Sequence, residues 1–91
     1  MYCNVPRIDM AATGLNIYQL RTKNNYRVAD IQNIFDFTSP QAIYKWESGQ
    51  SLPTIERMIT LSRIFNCSVE DIVVMEEDPW STDHSTAMGH L

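Results

Sequence analysis

The stretch SPQAIYKWESGQSLP, residues 39–53, decides the fold because it predicts a short helix with a defined start, two different faces and a defined end. Pro40 suits the first turn of a helix, where a missing N–H costs nothing. Thr38 or Ser39 can cap that turn with a side-chain oxygen. Gly49 follows the last helical residues, in the position where glycine commonly ends a helix.

The two faces of this predicted helix differ in chemistry. At roughly 100° per residue, one face carries Ala42, Ile43, Trp46 and Glu47, and the opposite face carries Gln41, Tyr44, Lys45 and Ser48. A solvated surface helix shows the same pattern, although a surface selected for solubility alone more commonly mixes glutamate and lysine. Glutamine can pair with adenine through two hydrogen bonds, lysine can reach guanine or a phosphate, and tyrosine can contact a phosphate or a thymine methyl group. The polar face therefore favours a helix that reads DNA.

Apolar residues recur at helical spacing along most of the chain, separated by short polar breaks. The pattern predicts five helices, at residues 12–24, 28–35, 40–47, 54–65 and 69–74. Pro53 suits the first turn of the fourth helix, and Ser68 with Asp71 fits a cap for the fifth. The second and third helices, with the turn between them, have the helix-turn-helix arrangement, in which the second helix of the pair enters the major groove. Asp36 lies in that turn, and aspartate tolerates a left-handed conformation there.

The net charge of −4 on 91 residues belongs to the end of the chain. Residues 1–75 contain seven basic and seven acidic residues, and the other four acids are Glu76, Glu77, Asp78 and Asp83. We therefore divide the chain into an N-terminal arm at 1–11, a helix-turn-helix domain at 12–75, and an acidic, flexible tail at 76–91 with Trp80 as its candidate anchor. A neutral domain disfavours tight non-specific binding to phosphates but allows a modest specific contact.

Several classes of protein are disfavoured by what the sequence lacks. No apolar run approaches the ~18 residues of a membrane span, and the first ten residues lack a secretion signal, so we expect a cytoplasmic protein and no membrane contact. The spacing of Cys3, Cys67, His84 and His90 does not suit a zinc site, and no metal is expected. There is no glycine-rich phosphate loop and no Cys–His or Ser–His pair on ordered segments. We therefore expect no catalytic residues, no cofactor and no enzymatic activity.

Four runs together resemble a known family: ATGLNIYQLR, VADIQNIF, SPQAIYKWESGQSLP and MITLSRIFNCSVEDI. They resemble the lambda-repressor-like, or Cro/XRE-type, helix-turn-helix regulators, in the version with a one-residue-longer turn. The most specific features are Trp46-Glu47-x-Gly49, then Pro53, then the spacing of Leu61, Phe65, Val69 and Ile72. Over residues 12–74, the resemblance implies an all-α domain of five helices that binds double-stranded operator DNA, usually as a homodimer on a palindromic site.

The resemblance also implies roles for individual residues. Those expected to contact bases and nearby phosphates are Pro40, Gln41, Tyr44 and Lys45. Those expected to contact phosphates are Arg27, Val28, Ser39, Ser48, Gln50 and Ser51. The amides of residues 49–51 match a backbone clamp, of the kind that binds anions near a helix start. Arg21 and Glu47 match a pair that ties the first helix to the third, a structural role.

The chain departs from the family pattern at Arg27, where Ser or Thr often caps the second helix. Loss of such a cap costs about 1 kcal/mol, whereas the arginine adds a charge well placed for a phosphate. The loop before the fourth helix adds little basic charge. We therefore expect a modest affinity, or an affinity that depends on dimerisation.

The expected function is transcriptional regulation, as a repressor that binds a palindromic operator as a homodimer. The alternative is an antitoxin-like or other protein-interaction module of the same fold, in which the acidic tail contacts a protein partner. For the dimer interface, we expect the fifth helix, Ser68 to Val74. The reason is that Val73, Val74 and Met75 supply more apolar surface than one small core needs.

Overall fold

Five helices follow one another in the computed structural model, which describes residues 6–76. They are α1 (Met10–Lys23), α2 (Val28–Phe35), α3 (Gln41–Ser48), α4 (Ile55–Ile64) and α5 (Val69–Ile72). The predicted all-α fold with five helices is confirmed, and each boundary lies within two residues of its predicted place. The first five residues and the tail from residue 77 lie outside the described residues, with Cys3, Trp80, His84 and His90. Predictions about them stay predictions.

The core is built from apolar side chains that come from all five helices. Its buried members are Ile17, Ile31, Ile43, Trp46, Met58, Leu61, Phe65 and Ile72. Trp46 therefore faces inward, as the pattern of α3 predicts, with 3% of its surface exposed. Cys67 packs half-buried against this core, and its burial raises the pKa of the thiol above the usual range.

The first four helices end in the same way. Just after each of them lies a residue with positive φ: Asn25 (64°), Asp36 (57°), Gly49 (84°) and Asn66 (57°). In each case the next amide donates to the carbonyl five residues earlier, as Phe37 does to Gln32 at 3.0 Å. Asparagine, aspartate and glycine tolerate this conformation better than other residues. The polar breaks of the sequence therefore stop the helices at these positions.

The α1 and α3 helices cross in close contact at Gly14. A Cβ added there would lie 2.5 Å from the carbonyl oxygen of Trp46 and 2.7 Å from that of Glu47. The end of α3 also packs on α1, because a Cβ at Gly49 would lie 3.0 Å from the Cα of Ala11. Only a residue without a side chain allows two helix backbones to come this close.

Residues 7–9 and 74–76 pair with each other on either side of an antiparallel bridge between Ile8 and Met75. The Asp9 amide donates to Val74 O at 2.7 Å, and the Glu76 amide donates to Arg7 O at 2.7 Å. We call this pairing the terminal clasp.

The terminal clasp explains two differences from the predicted boundaries. The α1 helix begins at Met10, inside the segment predicted as an arm, because Asp9 caps it by accepting from the Ala12 amide at 2.9 Å. The α5 helix ends at Ile72 rather than at residue 74. The Val74 amide instead donates to Thr13 Oγ1 at 2.9 Å, so the chain continues extended.

Asp71 and Ser68 cap α5 reciprocally, as predicted, at 3.0 and 3.1 Å. The hydrogen bonds from Ser68, first of all from its amide, hold the pKa of Asp71 below its ordinary value of 3.8. A carboxylate with a lowered pKa in the folded state stabilises the fold above its ordinary pKa, and the contribution is lost as pH falls through the lowered value.

We therefore expect Asp71→Asn to flatten the acid dependence of the urea unfolding midpoint. Between about pH 6 and pH 2, the wild-type midpoint should fall further than that of the variant. Glu70→Gln is the matched control, because Glu70 is an exposed neighbouring carboxylate on the same helix. Equal slopes for the wild type and Asp71→Asn would contradict the expectation.

Candidate nucleic-acid interface

The turn between α2 and α3 is held by main-chain and side-chain hydrogen bonds. Asp36 adopts the left-handed conformation, with φ of 57° and ψ of 40°. Beyond it, the Phe37 amide donates to Gln32 O at 3.0 Å, and Gln32 Nε2 donates back to Phe37 O at 3.2 Å. The bond from Phe37 satisfies a carbonyl group in the last turn of α2, and the two bonds together fix the direction in which the chain leaves the helix.

Three aromatic rings hold the turn against α3. Phe35 and Phe37 stack with ring centroids 5.2 Å apart, and both meet Trp46 edge-on, at 5.6 and 5.8 Å. The guanidinium of Arg57, in the first turn of α4, lies 4.7 Å from the centre of the Phe37 ring. Such contacts favour one relative orientation of α2, α3 and α4. Sequence reasoning missed the Arg57 contact, because it joins residues twenty positions apart.

The exposed face of α3 carries the side chains expected there. Gln41, Tyr44, Lys45 and Ser48 are all exposed, and Tyr44 has 51% of its surface accessible. Ser48 turns its hydroxyl back to Lys45 O at 3.2 Å. This leaves an amide, a phenol and an ammonium group projecting together from one side of a rigidly packed helix.

The start of α3 differs from the prediction by one residue. The helix begins at Gln41, and Pro40 precedes it, with its carbonyl accepting from the amides of Ile43 and Tyr44 at 3.1 Å. Ser39 Oγ accepts from the Gln41 amide at 3.4 Å, which is too long for a strong cap. Pro40, with φ of −85° and ψ of 6°, takes the N-cap position, from which its carbonyl accepts the first bonds of the helix. Pro40 is half-buried and Ser39 is exposed.

The start of α2 keeps half of a cap despite its arginine. The Arg27 amide donates to Asp30 Oδ2 at 2.7 Å. That bond, followed by the bonds from the guanidinium, holds the pKa of Asp30 below its ordinary value of 3.8. The expectation that the cap of α2 is lost is therefore wrong for the half that Asp30 provides. The Arg27 side chain itself is 82% exposed, and its contact with Asp30 at 3.4 Å is a weak surface ion pair.

The segment after α3 uses its amides internally. Those of Gln50 and Ser51 donate to Lys45 O at 2.9 and 3.3 Å, and that of Gly49 donates to Trp46 O at 3.1 Å. An amide that closes the end of a helix is not free for a second acceptor. A phosphate contact from this segment must therefore come from side chains, and of these Gln50 is exposed and Ser51 half-buried.

Arg21 and Glu47 form an ion pair between α1 and α3. Arg21 Nε lies 2.6 Å from Glu47 Oε2, and the two side chains are only 11% and 12% exposed. A second bond joins Nη2 to Oε1 at 3.3 Å, and Nη1 donates to Tyr26 O at 3.0 Å, in the connection to α2. One buried guanidinium thus links α1, α3 and the start of α2.

The net charge of this surface is low. Arg21 and Glu47 neutralise each other, which leaves Arg27 and Lys45 as the exposed bases on α3 and at the start of α2. Asp36 is an exposed acid in the turn between them. Within residues 6–76, no group of three or more His, Cys, Asp or Glu side chains could hold a metal ion. Over the same residues, no helix has the length and apolar character to cross a membrane.

Comparisons with solved structures show where this fold occurs elsewhere. The crystal structure of the DNA-binding domain of BldD has a TM-score of 0.60 and 14% identity, over 71% of this chain and 93% of that one. The BldD DNA-binding domain of S. venezulae has a TM-score of 0.59 and 14% identity, over 71% of this chain and 96% of that one. At this level of identity, the likeness shows the fold alone. No curated protein sequence matches the chain.

Family membership rests on the sequence itself. A helix-turn-helix family model matches residues 17–72, from the middle of α1 to the end of α5. The matched region includes every element of the interface described above, and it covers more than half of the 91 residues. The resemblance drawn from the sequence is therefore confirmed, and the chain belongs to the helix-turn-helix family of the Cro/C1 type.

Proposed function

We propose that this protein is a sequence-specific DNA-binding transcription regulator, which acts as a repressor and binds a palindromic operator as a homodimer. The observation that carries the proposal is the exposed face of α3. It combines Gln41, Tyr44 and Lys45 on a helix whose other face is fixed by the buried Trp46. Base reading requires groups held in a fixed geometry. This helix is held to α1 by the Arg21–Glu47 pair, and to α2 and the turn by the contacts of Trp46 with Phe35 and Phe37.

In this proposal, α3 lies in the major groove with its first turn toward the bases. Gln41 is the first residue of the helix and pairs with the N6 and N7 groups of an adenine. Lys45, one turn further on, reaches a guanine or a phosphate. Tyr44 contacts a phosphate or a thymine methyl group, and Pro40 lies against the same base pairs.

Phosphate contacts come from both sides of α3. Arg27, at the start of α2, faces one stretch of backbone with its exposed guanidinium. Val28 faces the same stretch with its first-turn amide, which has no partner inside a helix. The hydroxyls and the amide group on the other side are those of Ser39, Gln50 and Ser51, and the Ser48 hydroxyl joins them by exchanging its bond to Lys45 O for a phosphate. These contacts orient the protein and carry no sequence information.

The low charge of the surface predicts a weak dependence on salt. Each phosphate neutralised by a base contributes roughly −0.9 to the slope of log K against log salt. Arg27 and Lys45 supply two such bases per copy on this surface. We therefore expect a slope of roughly −2 per copy, much shallower than that of strongly basic repressors. Specificity should then depend on contacts with the bases.

The decisive test of base reading is Gln41→Ala. Its affinity is measured by fluorescence anisotropy on DNA from upstream of the gene that encodes this chain, and on single-base variants of the bound site. We expect a loss of roughly 1–3 kcal/mol that is confined to one base position per half-site. Gln19→Ala is the matched control, because Gln19 is an exposed glutamine on α1. A loss that is uniform over all sequences would contradict base reading by Gln41.

Repression follows from occupancy of the operator, since a bound dimer excludes polymerase from an overlapping promoter. In transcription assays with purified components, we expect the wild type to lower the transcript level from its target promoter and Gln41→Ala to lower it less. A rise in transcript with the wild type would support regulation but contradict repression.

A further inference from the structure

The α4 helix carries apolar residues on its outer side as well as on its inner side. Met58 and Leu61 lie in the core, with 4% and 0% of their surfaces exposed. Ile55 and Ile59, one turn apart, lie roughly 120° and 160° from Leu61 around the helix, and 69% and 42% of their surfaces are exposed. Ile55 is thus the most exposed large apolar residue of the described chain. Packing against the core does not explain this exposed apolar stripe, because α4 contacts the core through Met58 and Leu61.

Two opposite charges flank the outer stripe. Glu56 and Arg63 are both exposed, and at 100° per residue they lie within roughly 20° of each other around the helix. They are seven residues apart, which is about 10 Å along the axis. Among residues 6–76, neither side chain takes part in a salt bridge. Both charges are therefore available to a partner.

This arrangement is self-complementary. When two α4 helices pack antiparallel about a two-fold axis between Ile59 and Thr60, Glu56 of each copy comes opposite Arg63 of the other. The same axis brings the two Ile59 side chains together at the centre of the contact. A parallel arrangement would instead place like charges side by side.

We propose that the outer face of α4, formed by Ile55, Glu56, Ile59 and Arg63, is the surface through which a second copy of this chain binds. This inference rests on the proposed function for its purpose, since a palindromic operator needs a two-fold partner. It names α4 in place of the expected α5. The residues after α5 are used within the chain, because Val73 and Val74 are half-buried. The Val73 amide donates to Val69 O, and the main chain of Val74 bonds to Asp9 and Thr13.

The size of the surface sets the strength of the contact. A helix of ten residues is about 15 Å long and cannot alone bury the ~800 Å² per partner of a standard interface. The dimer is therefore weak in free solution, with a dissociation constant between about 10 μM and 1 mM. Operator half-sites would strengthen it by holding two copies together.

The test is sedimentation equilibrium of the full chain up to about 1 mM, without DNA. Ile59→Asp should weaken dimerisation at least tenfold, because it places two carboxylates together on the axis. Glu56→Arg and Arg63→Glu should each weaken it severalfold, and the double variant should recover most of the wild-type affinity because both pairs are restored with exchanged signs. Leu15→Asp is the matched control, since Leu15 is 53% exposed on α1. Circular dichroism checks that every variant is folded.

Three results would overturn the proposal. They are a wild type that stays monomeric throughout, a double charge reversal no better than the single ones, and a loss of dimer on Leu15→Asp in place of Ile59→Asp. If the wild type is monomeric and Ile59→Asp exposes the segment after residue 76 to protease, that segment covers α4 instead. Because these measurements contain no DNA, they separate failure of the dimer surface from failure of base reading, which Gln41→Ala reports.

Discussion

Replacing Gly14 by alanine is expected to destabilise the domain by about 3 kcal/mol, and replacing it by valine is expected to unfold it. The new Cβ would lie 2.5 Å from Trp46 O and 2.7 Å from Glu47 O, and both are backbone atoms that cannot rotate away. The two helices must therefore move apart. A chain of this size has a stability of about 5–10 kcal/mol in total, so the larger side chain exceeds what the fold can absorb.

Gly14→Ala is informative because helix propensity predicts the opposite sign. In an exposed helix interior, alanine in place of glycine stabilises by about 1 kcal/mol. Urea unfolding followed by circular dichroism at 222 nm separates the two effects, with Gln19→Ala on the same helix as the control. An increase in stability on Gly14→Ala would show that α1 and α3 do not cross as closely as described.

The contact at Gly14 also matters for the proposed function, because it sets the position of α3 against α1. A variant that stays folded with the helices further apart should bind operator DNA less tightly. The effect is indirect, because Gly14 is buried and does not itself face the DNA. The expected signature is a loss of affinity for the operator, without a change in which base position matters. Anisotropy measurements on single-base variants of the site provide this readout.

Replacing Arg21 by methionine is expected to cost about 3–5 kcal/mol of stability. The change leaves the Glu47 carboxylate, only 12% exposed, without its partner at 2.6 Å. It also removes the donor to Tyr26 O, so the connection between α1 and α2 loses a hydrogen bond. Lys23→Met is the matched control, since it removes an exposed base on the same helix that takes part in no salt bridge among residues 6–76.

A double variant separates the cost of an unpaired charge from the value of the pair. Replacing Glu47 by leucine in the Arg21→Met background removes the stranded carboxylate, and we expect it to recover much of the lost stability. The free energies of unfolding of the wild type, both single variants and the double variant form the required cycle. Additive losses would mean that the two side chains do not interact in solution.

The fold could be predicted from the sequence to the extent that it depends on local chemistry. Asn25, Asp36, Gly49 and Asn66 stop four helices because of their own backbone preferences, which a reader of the sequence can recognise. The inward position of Trp46 follows from its place around α3. By contrast, no local pattern marks Gly14 as the crossing point of two helices, because a close approach between two backbones is visible only in three dimensions.

The candidate interface likewise has features that local sequence predicts and features that it does not. The exposed and buried sides of α3 follow from helical spacing alone. The amides of residues 49–51 bond within the chain, and the Arg27 amide donates to Asp30. Both arrangements depend on backbone geometry that helical spacing does not specify. The early end of α5 depends on Thr13, sixty-one positions away in sequence. Such distant partners are what a single sequence hides.

The terminal clasp has a consequence for the order of the helices along the chain. Because the Glu76 amide donates to Arg7 O, the two ends of the described domain lie next to each other. Connecting these positions by a short flexible linker and opening the chain at the exposed Asn25 would give a circular permutant that begins with α2 and ends with α1. Every core contact would survive this rearrangement. The packing of the five helices would then be independent of the order in which the ribosome makes them.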